Sequence, residues 1–374
     1  MTAFARTDTS LLGRWWWTVD RWTLFAIAGL IVFGGLLTLA ASPAVASRIG
    51  LDGFHLAKRQ LVLLPVAAAI VISSSLASPR WIRRIAALAF VASVALTALT
   101  LLVGAEIKGA TRWISIAGIS LQPSEFLKPS FAVVAAWMFA AQRAGESRIP
   151  GNAIAVALYV LVVFLLVRQP DLGMTAVVTA MFFAQFFAAG LPILWVAVLA
   201  AVSVGALVLA YLTFPHVAQR VDGFLDPGSA DTYQVDRSLE AFRNGGLFGR
   251  GPGEGTVKGV LPDAHSDFVF AVAGEELGML ACLIIIALFA FIVLRGFSRL
   301  FQESNLFVLY AATGLLVQFG LQALINMASS LHLIPTKGMT LPFLSYGGSS
   351  LLALAFGTGM LLALTRRRVG SGEA

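Results

Sequence analysis

The chain has 374 residues, 58% of them hydrophobic and only 12% charged, with a mean hydropathy of +0.86. A soluble domain carries about twice that charged fraction, so a soluble fold is excluded. The pI of about 10.0 and formal net charge of +7 would suit a nucleic-acid binder, but the charge is distributed by membrane side and that reading is set aside.

Apolar runs long enough to cross a bilayer as helices recur at about 22–42, 60–78, 83–103, 123–141, 152–168, 172–190, 192–214, 268–294, 305–328 and 342–364. They predict an all-α polytopic membrane protein of about ten transmembrane helices. A cytoplasmic segment (1–21) precedes the ten-span domain (22–366), and a short cytoplasmic tail (367–374) follows it. One large extracytoplasmic loop, 215–267, separates spans seven and eight. The first run is too long for the apolar region of a cleavable signal peptide. The single cysteine, Cys282, lies inside a run, so neither an intrachain disulfide nor a thiol metal site is expected.

An even number of spans puts both termini on one side. Arg6, Arg14, Arg21, Arg80, Arg83, Arg84, Arg143, Arg148, Arg295, Arg299, Arg366, Arg367 and Arg368 all fall on that side. The positive-inside rule therefore makes it cytoplasmic. RWWWTVDRW at 14–22 reads as an interfacial aromatic and arginine anchor.

The outer segments carry the chemistry. The first ends in Lys58-Arg59-Gln60, and the second reads GAEIKGATRWISIAGISLQ over 104–122. Within the large loop, TYQVDRSLEAFRNGG places Val235, Leu239 and Phe242 on one side of an amphipathic helix lying on the membrane and ended by Gly245-Gly246. The following GGLFGRGPGEG lacks the Gly-Lys-Ser/Thr of a nucleotide loop and reads as a mobile outer loop.

Charges near a membrane midplane cost roughly 2.5–3.5 kcal/mol each, so they need partners or a purpose. Glu125 and Lys128 can pair at i,i+3 in the QPSEFLK segment that opens the fourth span, or Lys128 can face an anionic ligand. Asp171 can cap the sixth span. At LPDAHSDFVFAVAGEELG (261–278), Asp263, His265 and Asp267 crowd one helix entrance. Glu275 and Glu276 lie about 12 Å deeper along the helix axis, where they hold the helix to its neighbours or hydrate a cavity. No second histidine stands at ligand spacing, which argues against a zinc-type site. Pro, Gly and Ser in PTKG (335–338) and LPFLSYGGSS (341–350) predict irregular backbone lining a cavity.

Taken together, KRQ at 58–60, GATRW at 109–113, QPSEFLK at 122–128, QPDLG at 169–173, FLDP at 224–227, LPDAHSDFVF at 261–270, GEELG at 274–278 and LPFLSYGGSS at 341–350 resemble the SEDS family (shape, elongation, division and sporulation). They occur in family order across nearly all of the ten-span region, and PTKG is similar to the division-type, FtsW-like members rather than the RodA-like ones. Met174 follows QPDLG where Thr is usual, and His332 precedes LIPTKG where Gly is usual.

The resemblance implies a septal peptidoglycan glycosyltransferase of the bacterial cytoplasmic membrane that polymerises lipid II onto a nascent glycan strand. It implies Asp267 as the essential carboxylate and a class B penicillin-binding protein (an FtsI-type transpeptidase) as partner, with other divisome proteins. Lys58, Arg59, Arg112, Lys128 and Lys337 are candidate pyrophosphate ligands. Gln122, Glu125, His265, Ser266, Glu275 and Ser345 are candidate supporting groups. No organic cofactor is expected. A divalent cation, Mg or Mn, could share the phosphate charge, and no protein-only cage for one is evident. A lipid II flippase and a non-catalytic division scaffold are the competing readings. A transporter would be expected to show repeated halves, and none is found.

Overall fold

The computed structural model describes residues 10–48, 50, 52–107, 110–116, 119–145, 150–190, 193–213, 215–225, 233–336 and 338–367. Thirteen α-helices follow one another: α1 Leu11–Thr18, α2 Arg21–Arg48, α3 His55–Ser75, α4 Pro79–Val103, α5 Pro123–Ala144, α6 Gly151–Arg168, α7 Leu172–Ala188, α8 Ile193–Thr213, α9 Pro215–Leu225, α10 Tyr233–Gly245, α11 Val269–Leu300, α12 Leu306–Ser330 and α13 Gly348–Leu364. Each predicted span falls on one of α2–α8 or α11–α13. Six of these (α2, α3, α4, α6, α11 and α12) are long and apolar enough to cross a membrane by length and composition. The protein is a multi-pass membrane protein.

The chain is not purely helical. β1 (Ala105–Ile107), β2 (Ala110–Ile116) and β3 (Ile119–Leu121) form an antiparallel sheet in the order β1-β2-β3, with Ile114 opposite Leu121 and Ile116 opposite Ile119. Isoleucines recurring every second residue carry the signal, but over stretches too short to stand out beside the spans. From β2, Arg112 reaches the turn between α6 and α7. Its Nε donates to the Gln169 carbonyl at 3.0 Å, its Nη2 to that of Pro170 at 2.6 Å, and its Nη1 lies 3.3 Å from Asp171. Asp171 in turn caps α7 by accepting from the Met174 amide at 3.1 Å.

Helices α5, α12 and α13 sit innermost. Phe131, Phe139 and Phe182 join α5 to α7, while Ile27, Leu30, Ile285 and Leu354 join α2, α11 and α13. Lipid is as apolar as these side chains, so helix association depends on close packing and polar contacts. Small residues supply the closeness: a Cβ on Gly359 of α13 would meet Ser74 and the Val71 backbone of α3 within 3.1 Å.

Helix α11 is broken in its first third. Gly278 (φ 81°, ψ 177°) leaves the helical region, and the freed backbone groups are handed to the loop before it. Arg250 and Gly251 donate to the Glu275 and Glu276 carbonyls at 3.0 Å each, while Met279 and Leu280 donate to Gly246 and Leu247. Irregular backbone is tolerated at such depth only where protein satisfies it. The glycine-rich segment is therefore a fastened strap, correcting the expectation of a mobile loop. Its glycines permit contact rather than motion, because a Cβ on Gly249 would lie 2.2 Å from the Glu276 carbonyl oxygen.

The acids of α11 complete the fastening. Glu275 accepts from the Thr256 amide at 2.9 Å and the Val257 amide at 3.1 Å. Glu276 pairs with Lys258, whose Nζ also donates to the Ala40 and Gly253 carbonyls. Helix α10 is amphipathic, as expected, but it packs on α11 rather than lying on the membrane. Its buried face is Val235, Ser238, Ala241 and Gly245, with Phe242 against Phe270 and Ser238 donating to the Ser330 carbonyl at 2.7 Å.

At the opposite, arginine-rich end, α1 docks through Trp15, which donates to Ser75 at 2.9 Å, and the Arg367 amide donates to the Thr18 carbonyl at 3.0 Å. The beginning and end of the described chain thus meet at this end.

Candidate active site

Asp267 stands half-buried just before α11, on a turn held by distant segments. The Asp263 carbonyl accepts from the Ser266 and Asp267 amides at 3.1 and 3.0 Å. Asp263 itself adopts φ 52°, a left-handed conformation that aspartate enters more readily than most residues.

Three consecutive carbonyls then leave this turn to be matched. The His265 carbonyl accepts from the Tyr346 amide at 2.8 Å, that of Ser266 from the Ser345 hydroxyl, and that of Asp267 from Asn326 Nδ2 at 2.9 Å. Asn326 also donates to the Met339 carbonyl at 2.6 Å. The turn is therefore laced to the irregular 338–347 segment, as an edge is to a template. A Cβ built on Gly338 would lie 3.0 Å from Asp267 Oδ2, so the glycine forms the wall that the carboxylate faces.

The 338–347 segment has irregular backbone, as its Pro, Gly and Ser content predicts, and Met339 and Leu341–Ser345 are buried between helices. Gly34 of α2 lets it approach, since a Cβ there would come 2.0 Å from the Phe343 carbonyl oxygen. Gln60 of α3 is fully buried and donates to the Ser345 carbonyl at 3.3 Å. Gln322 of α12 donates to the Thr340 carbonyl and hydroxyl at 3.1 Å each.

Gln322 extends this network inward. It accepts from Lys128 Nζ at 2.9 Å, and Lys128 pairs with Glu125 at 2.8 Å, as their spacing predicts. Lys128 is almost completely buried and Glu125 nearly so, so the two charges offset each other inside protein. Gln122 is held nearby, its amide donating to Ser349 at 3.0 Å. Burying these charges is costly, and their contacts run through Gln322 to the segment that positions Asp267.

The candidate cations thus separate. Lys128 is committed to Glu125 and Gln322, and Arg112 to the 169–171 turn, so neither is carried forward as a phosphate ligand. Lys58 is exposed and pairs at 3.2 Å with an equally exposed Asp52, a bond that water readily replaces. Arg59 is exposed, two positions further from the start of α3 than Ala57 and next to the buried Gln60. Lys337 lies outside the described residues. Among the described residues, no group of three or more His, Cys, Asp or Glu side chains converges on one point. The donors present fit a divalent ion only if Asp267 shares it with substrate oxygens, as magnesium commonly is.

Sequence reasoning passed over Asn326, Gln322, Thr340 and Lys258. The first two had a readable signal. Gln318, Gln322 and Asn326 recur every four residues along an apolar helix, which places them on one face.

Residues 21–369 match the family model described as cell cycle protein, covering FtsW, RodA and SpoVE. The chain belongs to this family. It is 49% identical over 370 residues to the probable peptidoglycan glycosyltransferase FtsW of Caulobacter vibrioides, covering 99% of this chain and 95% of the relative. The protein of the same description from Escherichia coli is 32% identical over 353 residues, covering 92% and 85%. Among solved structures, a chain of a peptidoglycan synthase complex that coordinates polymerization and crosslinking matches with TM-score 0.72 and 27% identity, over 93% of this chain and 97% of that one. The rod shape determining protein RodA of Thermus thermophilus matches with TM-score 0.69 and 27% identity, over 94% and 97%. The FtsW relatives reported, at 49% and 32% identity, are more similar in sequence than the RodA structure at 27%, in keeping with the PTKG motif at 335–338.

Proposed function

We propose that the protein is a septal peptidoglycan glycosyltransferase that polymerises lipid II, with Asp267 as the general base. The observation that carries the site assignment is the lacing of His265, Ser266 and Asp267 to Tyr346, Ser345 and Asn326, which fixes one carboxylate on preorganised backbone at the outer end of α11. Its reaction follows from the chemistry of a lipid-borne disaccharide. The acceptor sugar's 4-hydroxyl attacks C1 of the donor, the C1–oxygen bond to pyrophosphate breaks, and undecaprenyl pyrophosphate leaves with that electron pair. The hydroxyl is a poor nucleophile, so Asp267 takes its proton as the new bond forms. Negative charge develops on the pyrophosphate, and the exposed Arg59 and Lys58 are the cations we assign to stabilise it. Arg59 can do so bidentately and Lys58 as a point charge. A bound divalent cation would add Lewis-acid stabilisation of the same charge.

Membrane embedding and the likeness to a synthase complex support a penicillin-binding protein partner, which we take to be a class B transpeptidase at the septum of the cytoplasmic membrane. The test is polymerisation of labelled lipid II by the purified protein with that partner. Wild type should form long strands, and Asp267→Asn should form none while retaining its melting temperature and partner binding. Normal polymerisation by Asp267→Asn would overturn the base assignment. Lipid II transfer across vesicles without polymer would overturn the enzyme reading in favour of a flippase.

A further inference from the structure

A second site lies at the arginine-rich end, across the membrane from Asp267. The first turns of α4 and the last turns of α5 enclose a cavity of about 560 Å³ lined by Arg80, Trp81, Arg83, Arg84, Leu88 and Trp137. Other arginines at this end have partners: Arg295 and Arg299 share Asp20, and Arg143 donates to the Ala189 carbonyl. Arg80, Arg83 and Arg84 pair with no carboxylate among the described residues. Aromatic faces hold two of them instead. The Arg83 guanidinium lies 5.3 Å from the Phe307 ring and 5.9 Å from that of Trp137, and Arg84 lies 5.4 Å from Trp81.

A guanidinium lying over a ring keeps its N–H edge open, and that fork matches the oxygens of a phosphate. Three like charges within five residues of one helix repel each other until an anion joins them. The positive end of α4 adds to the same field.

The cavity also changes character with depth. Leu88 lies about 12 Å from Arg80 along the axis of α4, and both Leu88 and Trp81 are exposed on the outside of the helix bundle. Charge at the headgroup level, tryptophan at the interface and aliphatic surface beneath follow the profile of a phospholipid. We propose that this cavity binds the phosphate headgroup of an anionic phospholipid of the cytoplasmic leaflet, its acyl chains lying along α4 below Arg84.

The test uses the full chain in nanodiscs of phosphatidylcholine containing a minor fraction of phosphatidylglycerol, with retained lipid counted by native mass spectrometry. Wild type should retain phosphatidylglycerol preferentially. An arginine near the membrane surface contributes about fivefold, so Arg84→Gln should weaken that preference about fivefold and the Arg80→Gln/Arg83→Gln/Arg84→Gln variant by more than tenfold. Melting temperatures in pure phosphatidylcholine report folding, and Arg84→Gln, which alters only the exposed contact with Trp81, serves where the triple variant misfolds. Undiminished preference in a folded variant would overturn the proposal. So would displacement of the lipid by inorganic phosphate at matched ionic strength, which would identify a soluble anion as the ligand.

Discussion

Asn326 donates one amide to two carbonyls, Asp267 at 2.9 Å and Met339 at 2.6 Å, tying the proposed base to the segment that forms its wall. Asn326 is fully buried, so neither bond can be replaced by bulk water. Asn326→Leu keeps the volume but strips both donors, and a misplacement of about 1 Å at a reacting group can cost a hundredfold in rate. The expected result is a fall in kcat of that order with KM for lipid II nearly unchanged. A purely structural role for Asn326 would instead lower the melting temperature and the fraction of active enzyme, leaving kcat per folded molecule intact.

The strap across α11 predicts a contrast between two glycines. Gly246 (φ 55°) has nothing within 4 Å of a built Cβ, whereas the Cβ of Gly249 (φ 81°) would collide with the Glu276 carbonyl. Gly246→Ala carries only the left-handed backbone strain, about 1–2 kcal/mol. Gly249→Ala adds a clash with backbone that has no flexible tip to yield, for a total of about 3 kcal/mol or more. Thermal unfolding of the two variants in the same detergent checks the order. Equal melting temperatures would show the strap to be loosely held.

His332 shows what a departure from the usual residue costs. It follows α12 with φ 55°, the left-handed position at a helix end where glycine is at ease. The imidazole recovers part of that strain by packing edge-on against Phe224, with centroids 5.1 Å apart. An aromatic pair contributes about 0.5–1.5 kcal/mol, close to the strain itself. His332→Gly should therefore change stability by less than about 0.5 kcal/mol, since relief of strain and loss of the ring contact oppose each other. His332→Val loses the ring and adds a β-branched side chain at positive φ, and should be clearly less stable in the same unfolding assay.

What could be read from the sequence was what is local. Apolar runs locate ten of the helices within a few residues, six of them long and apolar enough to cross a membrane, and the i,i+3 spacing of Glu125 and Lys128 foretells their pair. Asp171 before an apolar run foretells a helix cap. What could not be read depends on contacts between distant segments. Arg112 looks like an open cation until the turn at 169–171 folds onto it, 57 residues away. Glycine in 245–255 has the same composition whether it loosens a loop or lets two backbones touch, and only the break at Gly278 decides between them. The motif around Asp267 was visible as a cluster of costly groups, but the partners that fix it, Asn326 and Ser345, lie on α12 and beyond. Their presence could be suspected from a polar stripe, yet not their target.

Asp20 provides a pH-dependent test of how the arginine-rich end is closed. It lies between α1 and α2, 2% exposed, with Arg295 Nε at 2.7 Å, Arg299 Nε at 2.9 Å and the Thr23 hydroxyl at 2.9 Å. Burial alone would raise its pKa, but the hydrogen bonds from Arg295 and Thr23 and the charges of Arg299 and Arg295 outweigh it, and the carboxyl is held below its ordinary range. A depressed folded pKa means the stabilisation is complete above the unfolded value of about 3.9. It is then lost as pH falls through the lower folded value. Asp20→Asn removes the charge and should cost about 1.5–3 kcal/mol at neutral pH, the range for hydrogen bonds to a charged group. The difference from wild type should shrink only below about pH 4, as wild type protonates Asp20 itself. Unfolding curves for both proteins across that window decide the matter, and a difference that stays constant into acid would mean the arginines hold α1 through some other group.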